Sequence, residues 1–188
     1  MTSKRREQIV ALLKGIETGD EASVAVINPD KYIQHNPQTQ QGGEGLAALF
    51  KKLSKTSPRV NIVRIFSDGD YVFGHTEYED SSSRVGIELI RSDGAQTDEH
   101  WDHIQSRRGP PPSGHSMVDG ATTVSDFQDT ETNRAFVKKF VEVVLIGGHF
   151  DELPKFVAAS YIEHDPQLTD GLHSLRAALS AQDSDSAR

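Results

Sequence analysis

Seven residues early in the chain, Tyr32-Ile33-Gln34-His35-Asn36-Pro37-Gln38, return as Tyr161-Ile162-Glu163-His164-Asp165-Pro166-Gln167, and Gly42 and Gly171 follow at matched distance. The spacing of 129 residues from Tyr32 to Tyr161 is far longer than the roughly 20–50 residues of a solenoid repeat. It points to a duplicated domain rather than an array. Beyond Tyr32 the chain continues through about 75 strongly patterned residues, whereas only 27 follow Tyr161. The sequence therefore reads as one complete module and the beginning of its copy.

The first module opens on helical periodicity. Ile9, Leu12, Leu13 and Ile16 fall on one stripe, with Gly19 as the stop. Asp20 can cap a second, shorter helix through Ile27, which must end before Asn28-Pro29. Tyr32 to His35 reads as a short strand, and Gly42 opens a third helix carrying Leu46, Leu49, Phe50 and Leu53. From Arg59 the period changes to two: Val60, Ile62 and Arg64 alternate with Asn61, Val63 and Ile65. Turns at Ser67-Asp68-Gly69-Asp70, Glu79 to Ser83 and Ser92-Asp93-Gly94 then separate strands at Tyr71–Tyr78, Arg84–Arg91 and Gln96–Gln105. Three helices followed by hairpin-linked strands predict an α+β fold, a curved antiparallel sheet with helices on one face.

Residues 107–129 hold Arg107-Arg108-Gly109-Pro110-Pro111-Pro112 and little apolar periodicity, the composition of a linker. Helical spacing resumes with Phe136, Val137, Phe140, Val141, Val144 and Leu145, ending at Gly147-Gly148. A short helix over Asp151–Ala159, a strand at Tyr161–His164 and a helix from Gly171 complete the pattern. The predicted organisation is a domain over 1–106, a linker over 107–129, a partial second module over 130–180 and a frayed tail over 181–188. A helix-helix-strand-helix fragment has no sheet of its own to cover its apolar faces. Those faces are expected to dock on the first domain or on a second copy of the chain, or to stay partly ordered.

Composition removes several classes of function. The chain has no cysteine, which excludes disulfides and thiolate chemistry and fits a reducing compartment. Its net charge of −8 gives a nucleic-acid role little electrostatic support. No apolar run approaches a membrane span, and Met1-Thr2-Ser3-Lys4-Arg5-Arg6 leads into no signal-peptide core, so neither a nucleic-acid nor a membrane partner is expected and the chain is read as cytoplasmic. Gly42-Gly43-Glu44-Gly45 lacks a phosphate-loop pattern, and no serine sits in a nucleophile elbow.

Three stretches carry a family likeness: Tyr32-Ile33-Gln34-His35-Asn36-Pro37, Asp70-Tyr71-Val72 running to His75, and Glu99-His100-Trp101-Asp102. With the order of elements around them, they resemble the SnoaL-like branch of the nuclear transport factor 2-like superfamily, and within it the SnoaL-like aldol-condensation and polyketide-cyclase-like proteins. Ser113 to Gly120 looks like the joint of two-module members. The resemblance implies a cone whose concave sheet and helices enclose an apolar pocket, a homodimer, and aldol or proton-transfer chemistry on a small carbonyl compound without a cofactor. It places the acid/base at Asp102. Where such cyclases carry a histidine on the preceding strand, this chain has Glu88.

Strand alternation puts His100, Asp102 and Ile104 on one face and Glu99, Trp101 and His103 on the other. If the first set faces the pocket, Asp102 is the general base, and His100 or His75 stabilises the developing oxyanion. The expected catalytic residues are Asp102, His100 and His35; His75, Glu88, Asn36 and Trp101 are expected to bind substrate. Two other readings stand beside this one. Glu99-His100-Trp101-Asp102 could form a solvated strand edge of a small-ligand-binding or dimerisation module. His35, His75, His100, Glu88 and Asp102 are also suitable donors for zinc or iron, although their spacing matches no ligand motif and no metal is expected.

Overall fold

The computed structural model describes residues 2–123, 125–126 and 128–186. Chain contacts divide it into two compact units, Met1–Arg107 and Arg108–Arg188.

In the first unit, helix α1 (Thr2–Thr18) presents the predicted stripe inward, with Ile9, Leu12, Leu13 and Ile16 all buried. It stops at Gly19, whose φ of 69° lies in the left-handed region that glycine enters without penalty. Asp20 caps the following 3-10 turn, Glu21–Val26, by accepting from the Ala22 N–H at 2.9 Å. Strand β1 (Ile33–Gln34) and helix α2 (Gly42–Leu53) follow.

Four long strands then form consecutive hairpins: β2 (Arg59–Asp68), β3 (Tyr71–Glu79), β4 (Ser83–Asp93) and β5 (Gln96–Ser106). The sheet is curved and open, in the order β1-β5-β4-β3-β2. Every pairing is antiparallel except that of β1, which lies parallel to β5 with Ile33 opposite Glu99 and Gln34 opposite His100. The helices pack on one sheet face around Leu46, Phe50, Val60, Val72, Tyr78 and Ile90. At about 1.5–3 kcal/mol for each fully buried aliphatic side chain, this core is what holds the sheet to the helices. The result is the α+β arrangement read from the sequence, a helix-covered curved sheet.

One strand departs from its expected register. A bulge lies between Ile62 and Arg64, so Ile62 and Ile65 both pack toward the core while Arg64 turns to the outer face and meets His75. The extra residue shifts the alternation by one, and neither Val63 nor Ile65 betrays the slip because both suit a strand.

The second unit is helical. Helix α3 (Thr130–Phe140) continues into a wider π-helical turn, Val141–Ile146, then a 3-10 segment, Phe150–Lys155, and helix α4 (Leu172–Ser186). Val144 and Leu153 are its most buried apolar residues, and Phe156 packs between Phe136 and Phe140 at ring distances of 5.6 and 5.8 Å. Phe136, Val137, Leu145 and Ile146 are exposed.

The strand expected at Tyr161–His164 does not form. Its counterpart, β1, exists only because β5 lies alongside, and no strand among the described residues of the second unit offers such an edge. The tail expected to fray from residue 181 is helical through Ser186; residues 187 and 188 lie outside the described residues. Among the described residues, no helix is long and apolar enough to cross a membrane.

Candidate functional site

A cavity of about 580 Å³ opens between the concave sheet face and the helices of the first unit. Its apolar wall comes from Leu12, Leu13 and Ile16 of α1, Leu46, Leu49 and Phe50 of α2, and Ile90 of β4. The polar groups gather along β1, β4 and β5. Alternation decides which: Tyr32, Gln34 and Asn36 point inward from β1 and its flanks, Glu88 from β4, and His100, Asp102 and Ile104 from β5.

Glu88 lies at the centre of this group, with 1% of its surface exposed. The Tyr78 hydroxyl donates to its Oε1 at 2.7 Å, and His100 Nε2 lies 2.8 Å from its Oε2. The Thr76 hydroxyl is 3.4 Å from Oε1. Such convergence of donors is what a buried carboxyl requires, because an unpaired one costs several kcal/mol. Gly86 makes room for it: a Cβ there would fall 2.8 Å from Glu88 Oε1, Thr76 Oγ1 and Tyr78 Cε2.

Asp102 is less enclosed and more sparsely held. Asn36 Nδ2 donates to its Oδ2 at 2.7 Å, while Asn36 Oδ1 accepts from the Gln38 N–H at 2.8 Å and so locks the amide in place. One ligand atom each from Glu88, His100 and Asp102 falls within 4.8 Å of the others.

Gln34, buried at 4% exposure, joins the elements of the site. Its Oε1 accepts from the Asn36 backbone N–H at 3.0 Å, and its Nε2 lies 3.0 Å from the Tyr32 hydroxyl and 3.1 Å from His100 Nδ1. Burial, reinforced by the Asp102 and Glu88 charges, raises the Tyr32 hydroxyl well above the ordinary phenol range. Tyr78 is raised for the same first reason, with the Glu88 charge and hydrogen bond next. Both phenols keep their protons, and Tyr32, which accepts from Gln34, retains its own O–H to donate.

Three residues expected at the site do not line the cavity. His35, the residue after β1, turns away from the cavity, stacks on Trp101 with ring centroids 4.8 Å apart and planes 5° from parallel, and meets Glu99 at 2.9 Å. Trp101 shares that outer face by alternation with His100 and Asp102. His75 lies between the buried Gly74 and Thr76 on the outer side of β3, 3.1 Å from Arg64. The physical reason is common to all three: in a strand, the neighbour of an inward residue points outward. Asn36 and Glu88, in contrast, join His100 and Asp102 at the cavity.

Tyr32, Gln34 and Tyr78 join the site without being among the residues expected there. The sequence carries a signal for the first two, since residues 32, 34 and 36 share a face whenever the segment is extended. Tyr78 could be placed only by knowing that β3 turns its even-numbered residues inward.

The sequence matches no known protein family and no curated protein. In structure the chain is similar to TsrD from Streptomyces laurentii, at 17% identity over 54% of this chain and 88% of that one, with a TM-score of 0.48. It is similar to an LEH-like epoxide hydrolase of M. tuberculosis at 19% identity over 55% and 84%, TM-score 0.47. An NTF-2 like protein of unknown function from Burkholderia xenovorans LB400 shares 16% identity over 58% and 88%, TM-score 0.49.

Proposed function

We propose that the first unit is a cofactor-independent lyase or isomerase of the polyketide-cyclase type, moving a proton on a small carbonyl compound held in its cavity. The observation that carries this reading is the convergence of Asp102, Glu88, His100 and Tyr32 on one hollow with an apolar wall. Asp102 is the general base. Its Oδ2 is held by Asn36, which leaves Oδ1 to take a proton from the carbon next to the carbonyl. The C–H electron pair moves into the new C=C bond and the carbonyl electrons move onto oxygen. The Tyr32 O–H donates to that oxygen, a preorganised donor aimed at the charge as it develops.

The resulting enolate either regains a proton at another carbon, an isomerisation, or attacks a second carbonyl, an aldol closure. His100 does not serve the oxyanion in this account, because its Nε2 is turned toward Glu88. The cavity volume lies within the range of small-molecule sites, which supports a small carbonyl compound as the substrate class. The reading keeps the expectation of a cytoplasmic homodimer, for which sedimentation of the purified chain is the check.

The test is exchange of carbon-bound hydrogen for deuterium beside the carbonyl in heavy water, followed by mass spectrometry over a panel of small ketones and β-dicarbonyl compounds. Asp102→Asn is expected to slow exchange by about 10²–10⁴-fold, the usual contribution of a positioned base. Equal rates in the two proteins would defeat the catalytic reading. Binding without exchange in the native protein would leave a small-ligand-binding module.

A further inference from the structure

The repeated motif makes the same turn in both units, and its one chemical difference identifies what Gln34 does. In the first unit Gln34 N–H donates to Gln41 Oε1 at 2.9 Å, Asn36 N–H to Gln34 Oε1 at 3.0 Å, and Gln38 N–H to Asn36 Oδ1 at 2.8 Å. In the second, Glu163 N–H donates to Asp170 Oδ1 at 2.8 Å, Asp165 N–H to Glu163 Oε1 at 2.9 Å, and Gln167 N–H to Asp165 Oδ1 at 2.8 Å. Thr39 N–H and Leu168 N–H close the two turns on the carbonyls of Asn36 and Asp165, at 3.1 and 3.2 Å. Each pair is separated by the same 129 residues that relate Tyr32 to Tyr161.

The turn thus asks of its third residue one thing, an oxygen that accepts from the N–H two residues on. Glutamate meets that demand as well as glutamine. The direction of the next bond differs: Tyr161 donates its hydroxyl to Glu163 Oε2 at 3.2 Å, whereas Gln34 Nε2 faces the Tyr32 oxygen at 3.0 Å as a donor. The amide of Gln34 therefore supplies two N–H groups that the turn itself does not need, and the second faces His100 Nδ1 at 3.1 Å.

We propose that Gln34 is a positioning residue that fixes the tautomer of His100, with Nδ1 bare and the proton on Nε2, aimed at Glu88. The Asn36 backbone N–H can only donate, so Oε1 of Gln34 must face it and Nε2 must face the imidazole. An amide nitrogen can only donate, so Nδ1 must accept. A neutral imidazole with Nδ1 bare carries its proton on Nε2, which lies 2.8 Å from Glu88 Oε2 and donates to it. A backbone N–H in a turn thereby orders the proton positions of a buried chain from β1 through β5 to β4. The consequence for catalysis rests on the proton-transfer reading: with His100 committed to Glu88, Asp102 is left as the carboxylate that can accept a proton from substrate. The tautomer itself does not rest on it.

The test uses the full chain labelled with ¹⁵N in histidine, read by long-range ¹H–¹⁵N correlation at neutral to mildly alkaline pH, with His100→Gln assigning the signal among the eight histidines. His100 is expected to show an unprotonated Nδ1 and a protonated Nε2; a protonated Nδ1 overturns the proposal. In Gln34→Glu, a change that the copy's own turn accommodates, Nδ1 is expected to become protonated. An Nδ1 that stays bare there overturns it as well. Loss of Asp102 without effect on exchange would defeat the parent reading while leaving this result in place, so the two failures are distinguishable.

Discussion

Glu88 and Asp102 stand directly opposite each other on β4 and β5, so their carboxyls enter one cavity as cross-strand neighbours held in unlike ways. Glu88 accepts from Tyr78 and from His100 and is sealed from water; Asp102 is held by the single amide of Asn36 and is partly open. Cross-strand partners on one face are the closest pairs a sheet can offer. What separates their roles is the set of donors each one meets, and those donors come from neighbouring strands and from the turn after β1.

That difference predicts the outcome of Asn36→Asp. Asp165 makes the same turn bond in the second unit, so the substitution is expected to keep the turn while replacing a donor to Asp102 with a like charge at about 2.7 Å. The base loses the amide that orients it and gains a repelling neighbour, so exchange is expected to slow while the fold is retained by circular dichroism. An unchanged rate would remove Asp102 as the base.

Gly86→Ala is the steric counterpart. The added methyl would sit 2.8 Å from Glu88 Oε1, Thr76 Oγ1 and Tyr78 Cε2, all buried and none at the end of a free chain. Overpacking of this kind costs about 1–3 kcal/mol. Urea denaturation should show that loss, and exchange activity should fall with it because the Glu88 carboxyl must move. Glu88→Ala relieves the crowding but orphans the Tyr78 and His100 donors, at about 1–3 kcal/mol for each left unsatisfied.

How far the sequence reveals this site depends on the strand. In β5 the alternation alone put His100, Asp102 and Ile104 together, because a single run of residues 99–104 contains both faces. The same rule applied to residues 32–36 groups Tyr32 with Gln34 and Asn36 and sends His35 outward, so parity rather than the chemistry of imidazole decides where His35 goes. In β2 no rule could have helped, since the bulge after Ile62 is a property of the pairing with β3 and leaves no mark in residues that all favour strands. The strand expected at Tyr161 fails for a related reason. A two-residue strand is defined by its neighbour, which Ile33 and Gln34 find in β5 and which no strand among the described residues of the second unit supplies to Tyr161–His164. The apolar stripe of α1 was legible from the start, because a helix makes its own hydrogen bonds and its periodicity needs no partner.

Three phenols, Tyr32 and Tyr78 buried and Tyr161 half-buried, set an alkaline limit on the fold. Burial together with the Glu88 and Asp102 charges raises Tyr32 and Tyr78, and burial with the Glu163 charge raises Tyr161 to about 12. A phenol raised in the folded state keeps its proton where the unfolded chain would lose it, above about 10. The stabilisation is therefore complete below that pH and is lost as pH climbs through the folded values, for Tyr161 between about 10 and 12. Absorbance at the tyrosinate band is expected to rise for these residues only late, and together with loss of helical circular dichroism. Early ionisation of Tyr32, identified by its absence in Tyr32→Phe, would contradict the enclosed cavity.

Glu88, His100 and Asp102 offer three donor atoms within 4.8 Å, a set that zinc or iron could accept on ligand type alone. The hydrogen-bond order argues otherwise. A histidine that binds metal through Nε2 carries its proton on Nδ1 and donates it to an acceptor behind it, but behind His100 stands the Gln34 amide nitrogen, itself a donor. Native protein is therefore expected to hold well under one equivalent of zinc or iron by elemental analysis. Gln34→Glu places an acceptor at that position and frees the Nε2 lone pair to face Glu88 and Asp102, so zinc titration monitored by calorimetry is expected to show one new site in that variant. Stoichiometric zinc in the native chain would mean that Nε2 is a ligand and that the proton order derived from Gln34 is reversed.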